Sequence, residues 1–138
     1  MAEPRWLSRQ ALLVLHARTL GLHGGRSGVR DEGLLDSALA RPVNRFLYDD
    51  IDDLAELAAV YAMALSANHP FVDGNKRVAF LALGLFLRVN GLELTADPAD
   101  AARVMFAVAA GTLDQSALTA WIRTHARSGS TPPPRGAA

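Results

Sequence analysis

His69-Pro70-Phe71-Val72-Asp73-Gly74-Asn75-Lys76-Arg77, running without a break into Val78–Leu87 (VAFLALGLFL), is the stretch on which the reading of this chain turns. An apolar run of that length with no strict alternation predicts a buried helix, here Asn75 to Val89. The residues before it then form an entry loop and the first helical turn. Lys76 and Arg77 fall in that turn, where unpaired N–H groups and the helix dipole already supply positive charge and where acidic residues are normally preferred. Two cations are locally unfavourable there unless an anion binds at the helix end, in which case N–H groups, dipole and side chains converge on it.

Each residue of the stretch has chemistry of its own. Pro70 disfavours helical backbone at the residue before it, so His69 is expected at the break after a preceding helix, Leu54 to Asn68, with its ring free to enter a cleft. A neutral imidazole can take the proton of an incoming hydroxyl. Asp73-Gly74 predicts a turn whose glycine lets a ligand approach the backbone, and Asp73 is placed to hold a Mg²⁺ that bridges phosphate oxygens. Asn75 is expected to cap the helix and to touch a phosphate, while Lys76 and the planar fork of Arg77 complete an anion site. Taken singly, a histidine before proline, an Asp-Gly turn and an Asn cap are ordinary; base, acid, glycine, amide and two cations within nine residues are not.

Working outward, the periodicity is helical nearly throughout and predicts an all-α chain, a compact bundle of about six helices. Ser8 caps a first helix, Arg9 to Leu22, whose inward stripe includes His16 as a core-edge residue. Asp31 caps a short second helix, Glu32 to Ala40, stopped by Pro42. Between them His23–Arg30 (HGGRSGVR) lacks P-loop spacing and is read as a mobile connector. Pro42 to Asp50 shows no helical stripe. Asp49, Asp50, Asp52 and Asp53 precede the third helix and favour its dipole, so they are read as capping acids rather than a second metal site. Leu92 to Thr95 is short and extended, Asp97-Pro98 opens a helix to Ala110, and Asp114 caps a last helix, Gln115 to Ala126, with a solvated His125 at its end.

Bulk properties narrow the classes. At 138 residues the chain reads as one domain, residues 1–126, with a tail, residues 127–138, of disordered composition. It has no cysteine, which excludes disulfides and thiolate metal sites. Lys plus Arg equals Asp plus Glu at 14 each, so a nucleic-acid partner is not expected. No apolar run reaches the ~20 residues that span a bilayer, and no signal segment opens the chain, so no membrane is expected and a cytoplasmic location is the default.

His69-Pro-Phe-Val-Asp-Gly-Asn-Lys-Arg77 resembles the signature of the Fic/Doc superfamily, H-P-F-x-[DE]-G-N-G-R-x-x-R, matched at His69, Pro70, Phe71, Asp73, Gly74, Asn75 and Arg77. Lys76 stands where the AMP-transferring Fic enzymes have a second glycine, and Phe80 where they have a second arginine. Both departures resemble the death-on-curing (Doc) toxins, as do Gly33–Pro42 (GLLDSALARP) and Tyr48, so the likeness runs from about Leu7 to Ala126. The resemblance implies the Fic/Doc helical fold, with the site at the junction of the third and fourth helices. It also implies a flap segment at Pro42–Asp50 that pairs with a target peptide through Arg45, Phe46 and Tyr48; a loop that packs Phe46 and Tyr48 on the core is the alternative.

In activity, the resemblance implies a toxin of a toxin–antitoxin pair that binds ATP and Mg²⁺ in an inverted pose. The γ-phosphoryl group would pass to a hydroxyl of a protein target, a threonine of elongation factor Tu in Doc, which blocks translation. His69 would be the general base, Asp73 the metal ligand, and Gly74, Asn75, Lys76 and Arg77 the phosphate cradle, with Phe71 anchoring the loop. A cognate antitoxin is implied as partner. Two other readings stay open: AMP transfer of the Fic type, and a phosphate-recognising module without chemistry. The family's inhibitory motif, [ST]-x-x-x-E-[GN], is not met at Glu32-Gly33, because its first position is Gly28.

Overall fold

The computed structural model describes residues 3–129. In chain order it contains α1 (Arg9–His23), α2 (Glu32–Tyr48), α3 (Leu54–Asn68), α4 (Asn75–Val89), β1 (Leu92–Leu94), α5 (Pro98–Ala110), α6 (Gln115–His125) and β2 (Ala126–Ser128). The all-α bundle of six helices is as expected. Four helices start where an oxygen-bearing side chain accepts an N–H from their first turn: Ser8 from Ala11, Asp31 from Leu34, Asp97 from Asp100 and Asp114 from Ala117.

The hub is α3, packed against α2, α4 and α6. Its sequence explains that position. Ala55, Ala58, Ala59, Ala62 and Ala64 are all buried, and such small side chains let neighbouring backbones come close on several sides. The apolar α4 is less enclosed than its sequence suggests, since Leu81 stays exposed and Phe80 half-buried. The two helices meet through large side chains such as Leu57, Leu65, Leu83 and Phe86, each worth ~1.5–3 kcal/mol when fully buried. Trp6 stacks on Phe86 at 5.9 Å and meets Phe46 edge-on at 5.6 Å. The Leu7 N–H donates to the buried Tyr61 hydroxyl at 3.0 Å, which ties the N-terminal segment to α3.

Several expectations need correction. Pro42 does not stop α2: the helix runs on to Tyr48 with Pro42 buried inside it. Leu35, Ala38, Pro42 and Phe46 recur at steps of three and four, so the helical stripe does continue through the supposed flap. Burying Pro42 and half-burying Phe46 offsets the ~3 kcal/mol that an interior proline costs. Residues 42–48 therefore offer no extended edge; Arg45 pairs with Asp49 at 3.0 Å and Tyr48 is exposed.

Asp53 stands at the N-terminus of α3 but makes no side-chain cap; it reaches instead to Arg123 of α6, 2.5 Å away. His125 is half-buried rather than solvated: Nδ1 lies 2.8 Å from the Trp121 carbonyl and the ring packs on the Trp121 indole. Its helix ends there because the chain turns extended as β2, antiparallel to β1 with Glu93 opposite Arg127. Ordered chain thus passes residue 127, and residues 130–138 lie outside the described residues.

Candidate active site

His69 ends α3. Its N–H donates to the Leu65 carbonyl, and its backbone then enters the left-handed region at φ 48°, ψ 56°. Pro70 closes the ordinary helical alternative, as the sequence predicts, but a left-handed non-glycine residue costs ~1–2 kcal/mol and persists only where neighbours hold it. One neighbour is Arg30, whose Nε donates to the His69 carbonyl at 2.7 Å and whose Nη2 donates to the Asn68 carbonyl at 2.9 Å. The His69 side is exposed to solvent, with its Nδ1 facing the Asn75 side-chain N–H at 3.4 Å. That long contact leaves the Nδ1 lone pair only weakly engaged.

The loop after His69 is pinned from three sides. Phe71 is buried and stacks on His16 of α1, ring centroids 4.0 Å apart, so it does anchor the loop in the core. Asn75 is not the helix cap. Gly74 occupies that position in left-handed backbone, φ 77°, and Asn75 is the first helical residue. Its buried amide reaches back to Phe71, accepting from the N–H and donating to the carbonyl, both at 2.9 Å. Occupied twice over, that amide is a clamp on the loop and not a free phosphate ligand.

The third tether is the glycine-rich segment read from sequence as a mobile connector. Val29 forms an antiparallel bridge with Phe71, the Gly28 carbonyl accepts from Val72, and the Pro70 carbonyl accepts from both Arg30 and Asp31. The segment is a strap bound along the motif.

Asp73 lies on the exposed rim beyond this anchor. Its backbone carbonyl is 2.9 Å from Nε2 of the buried His16, while its carboxylate accepts long backbone bonds of 3.2 Å from Arg26 and from Gly74. No lysine or arginine pairs with it among the described residues. A side chain at Gly25 would come within 3.2 Å of its Oδ2, so the strap's glycine keeps room for the carboxylate. These features fit a divalent cation. Among the described residues no three His, Cys, Asp or Glu side chains converge, so Asp73 would hold Mg²⁺ only with phosphate and water completing the shell.

At the tip of α4 no side chain among the described residues caps the first-turn N–H groups. Lys76 and Arg77 are exposed there without an acidic partner among the described residues, and Lys76 Nζ lies 5.0 Å above the Phe106 ring. His69, Asp73, Gly74, Asn75, Lys76 and Arg77 line one cleft of about 380 Å³. The residues named from the sequence as base, metal ligand and phosphate cradle are therefore brought to one place, with Asn75 in a different role, while Arg45, Phe46 and Tyr48 do not line this cleft. Base, carboxylate, open helix tip and two free cations can together receive a polyphosphate and a hydroxyl.

A larger groove of about 1120 Å³ opens beside it between α1, α4 and α5; Lys76 and Arg77 border both, and Phe80 lines the groove among Leu15, Leu22, Leu81 and Phe106. A phenyl ring there offers an anion nothing.

Sequence reasoning missed His16, Arg30 and the Gly25–Arg26 turn as parts of the site. Only the stripe position of His16 and the glycine content of the strap were visible signals.

Comparison with known proteins identifies the family. The model of the Fic/DOC family matches residues 6–87. The chain is 36% identical over 94 residues to Protein kinase doc of Escherichia phage P1, covering 68% of this chain and 75% of that protein. It is 47% identical over 75 residues to Toxin Doc of Mycolicibacterium smegmatis, covering 54% of this chain and 58% of that one. A helical bundle whose third and fourth helices present His69 and the Asp73–Arg77 turn to one cleft thus belongs to the Fic/DOC family, in its death-on-curing group.

Proposed function

We propose that the chain is a toxin that transfers the γ-phosphoryl group of ATP to a hydroxyl of a cytoplasmic protein, elongation factor Tu being the first target to test. The observation that carries the reading is the open tip of α4, where N–H groups and two cations, uncapped and without acidic partners among the described residues, face the same cleft as His69 and Asp73. That tip, with Lys76 and Arg77, would bind the phosphates and gather the charge that spreads over the equatorial oxygens. Mg²⁺ held by Asp73 would supply charge neutralisation when bound. His69 would accept the target hydroxyl's proton as its oxygen bonds to the γ-phosphorus; the bond from that phosphorus to the β–γ bridging oxygen breaks, and ADP leaves with the electron pair.

Lys76 in place of a glycine and Phe80 in place of an arginine support γ- over α-transfer, since they fill or discharge the region in which an AMP-transferring relative would hold the terminal phosphates. The printed names of the two relatives, a kinase and a toxin, are consistent with this.

A toxin of this kind implies an antitoxin. The groove between α1, α4 and α5, apolar along its floor with Arg18, Lys76 and Arg77 among its lining, suits an amphipathic antitoxin segment with acidic residues on one edge.

Incubation with elongation factor Tu and ATP labelled at either the α- or the γ-phosphate tests the chemistry. Transfer of γ-label by the wild type and not by His69→Ala is the expected result. Transfer of α-label alone would replace phosphorylation with nucleotidylation, and no transfer of either would refute this target assignment.

A further inference from the structure

Arg30 has a place in the site that its sequence neighbours do not announce. It is exposed, yet its guanidinium forms no ion pair with an acid among the described residues. The fork is spent on two successive carbonyls, Asn68 and His69, which a helix leaves unsatisfied at its C-terminus. Its own backbone N–H adds a third bond, 2.7 Å to the Pro70 carbonyl. One residue thus grips three consecutive carbonyls around His69.

Those bonds have a directional consequence. With ordinary helix closed to His69 by Pro70, its remaining choices are extended and left-handed backbone, and the two aim the imidazole differently. A planar fork can engage two neighbouring carbonyls together only when the chain turns to present both, which is the left-handed arrangement observed. A lysine ammonium lacks this fixed fork. The strap bridge between Val29 and Phe71 fixes where Arg30 itself stands.

We propose that Arg30 is a positioning residue for the base: its guanidinium selects the left-handed conformer of His69 and so sets where the imidazole stands in the cleft. The catalytic part rests on His69 being the proton acceptor of the proposed kinase, whereas the conformational part does not. Two measurements on the full chain keep them apart.

In the transfer assay Arg30→Ala should lower kcat by about 10- to 100-fold, the scale on which a small misplacement of a catalytic group acts, with KM for ATP within about twofold. Because the vacated place is open to solvent, added millimolar guanidinium should recover part of the lost kcat, while Arg30→Lys should remain nearer to the alanine variant than to wild type. By NMR, the backbone signals of His69 and Phe71 should broaden or split in Arg30→Ala, with the core methyl signals of Leu57 and Leu83 unmoved; should those move too, Arg30→Lys replaces the alanine variant in both assays.

A kcat within twofold of wild type, or an unperturbed single His69 signal, would overturn the assignment. If wild type transfers no phosphoryl group, the kinase reading fails while the NMR result still decides whether Arg30 holds His69.

Discussion

Replacing Asn75 with alanine probes the clamp that joins the loop to α4. The native side chain makes two 2.9 Å bonds to the backbone of Phe71, and both residues are buried, at 8% and 1% exposure. Truncation strands one donor and one acceptor of Phe71, for which no other partner exists among the described residues. Each stranded buried group costs ~1–3 kcal/mol, and water entering from the cleft keeps the pair in the lower part of that range, ~2–4 kcal/mol together. Alanine returns ~0.5 kcal/mol through better helix propensity. The net expectation is a loss of about 2–3 kcal/mol, or a fall in Tm on the order of 10 °C for a domain of this size.

Urea unfolding followed by the fluorescence of Trp6, packed against Phe86, measures the difference. Asn75→Asp sharpens the test, because it keeps an acceptor for the Phe71 N–H while turning a second oxygen toward the Phe71 carbonyl. Phosphoryl transfer should also fall in both variants at temperatures where they remain folded. A stability change below about 0.5 kcal/mol in Asn75→Ala, the usual size for a surface substitution, would refute the clamp.

Other consequences can be checked alongside. Burial pushes the Tyr61 hydroxyl up to about 12, against its partial offset by the Leu7 N–H. The folded state therefore favours the neutral phenol, so this contribution, ~2–3 kcal/mol, is complete below pH ~10 and is lost as pH rises toward ~12. Tyr61→Phe should flatten the alkaline fall in urea midpoints while lowering stability at neutral pH, and an unchanged alkaline slope would contradict it. Gly25→Ala puts a methyl 3.2 Å from the Asp73 carboxylate on backbone at φ +121°; the Mg²⁺ concentration for half-maximal transfer should rise several-fold, and an unaltered Mg²⁺ profile would remove Gly25 from the account. Leu22, 80% exposed at the groove, gives a separate handle on the partner: Leu22→Asp should leave transfer intact but weaken calorimetric binding of an antitoxin encoded beside this chain, whereas equal affinity would move the docking site elsewhere.

How far the sequence could be read depended on the range of the interaction. Capping is local, so the starts of α1, α2, α5 and α6 followed from Ser8, Asp31, Asp97 and Asp114, and the extent of α4 followed from its apolar run. Pro42 reads locally as a stop because its cost within a helix is well defined, whereas the compensating burial of Pro42 and Phe46 depends on α3 lying alongside. An Asn near a helix start reads locally as its cap, but Gly74 takes the cap and frees the Asn75 amide to bind Phe71. His16 and Arg30 could not be placed at the site at all, since they act on Asp73 and His69 across 57 and 39 residues of chain. The motif carried the reactive groups; the residues that aim them come from folds of the chain that local patterns do not encode.

In the proposed reaction this cleft would deliver a phosphoryl group to a protein hydroxyl with His69 as base. Intact-mass measurement of elongation factor Tu after incubation with the full chain, ATP and Mg²⁺ tests it most directly. The expected result is a mass gain of one phosphoryl group with wild type, none with His69→Ala or Asp73→Ala, and loss of the gain on phosphatase treatment. A gain of one adenylyl group, or an equal gain with His69→Ala, would contradict it.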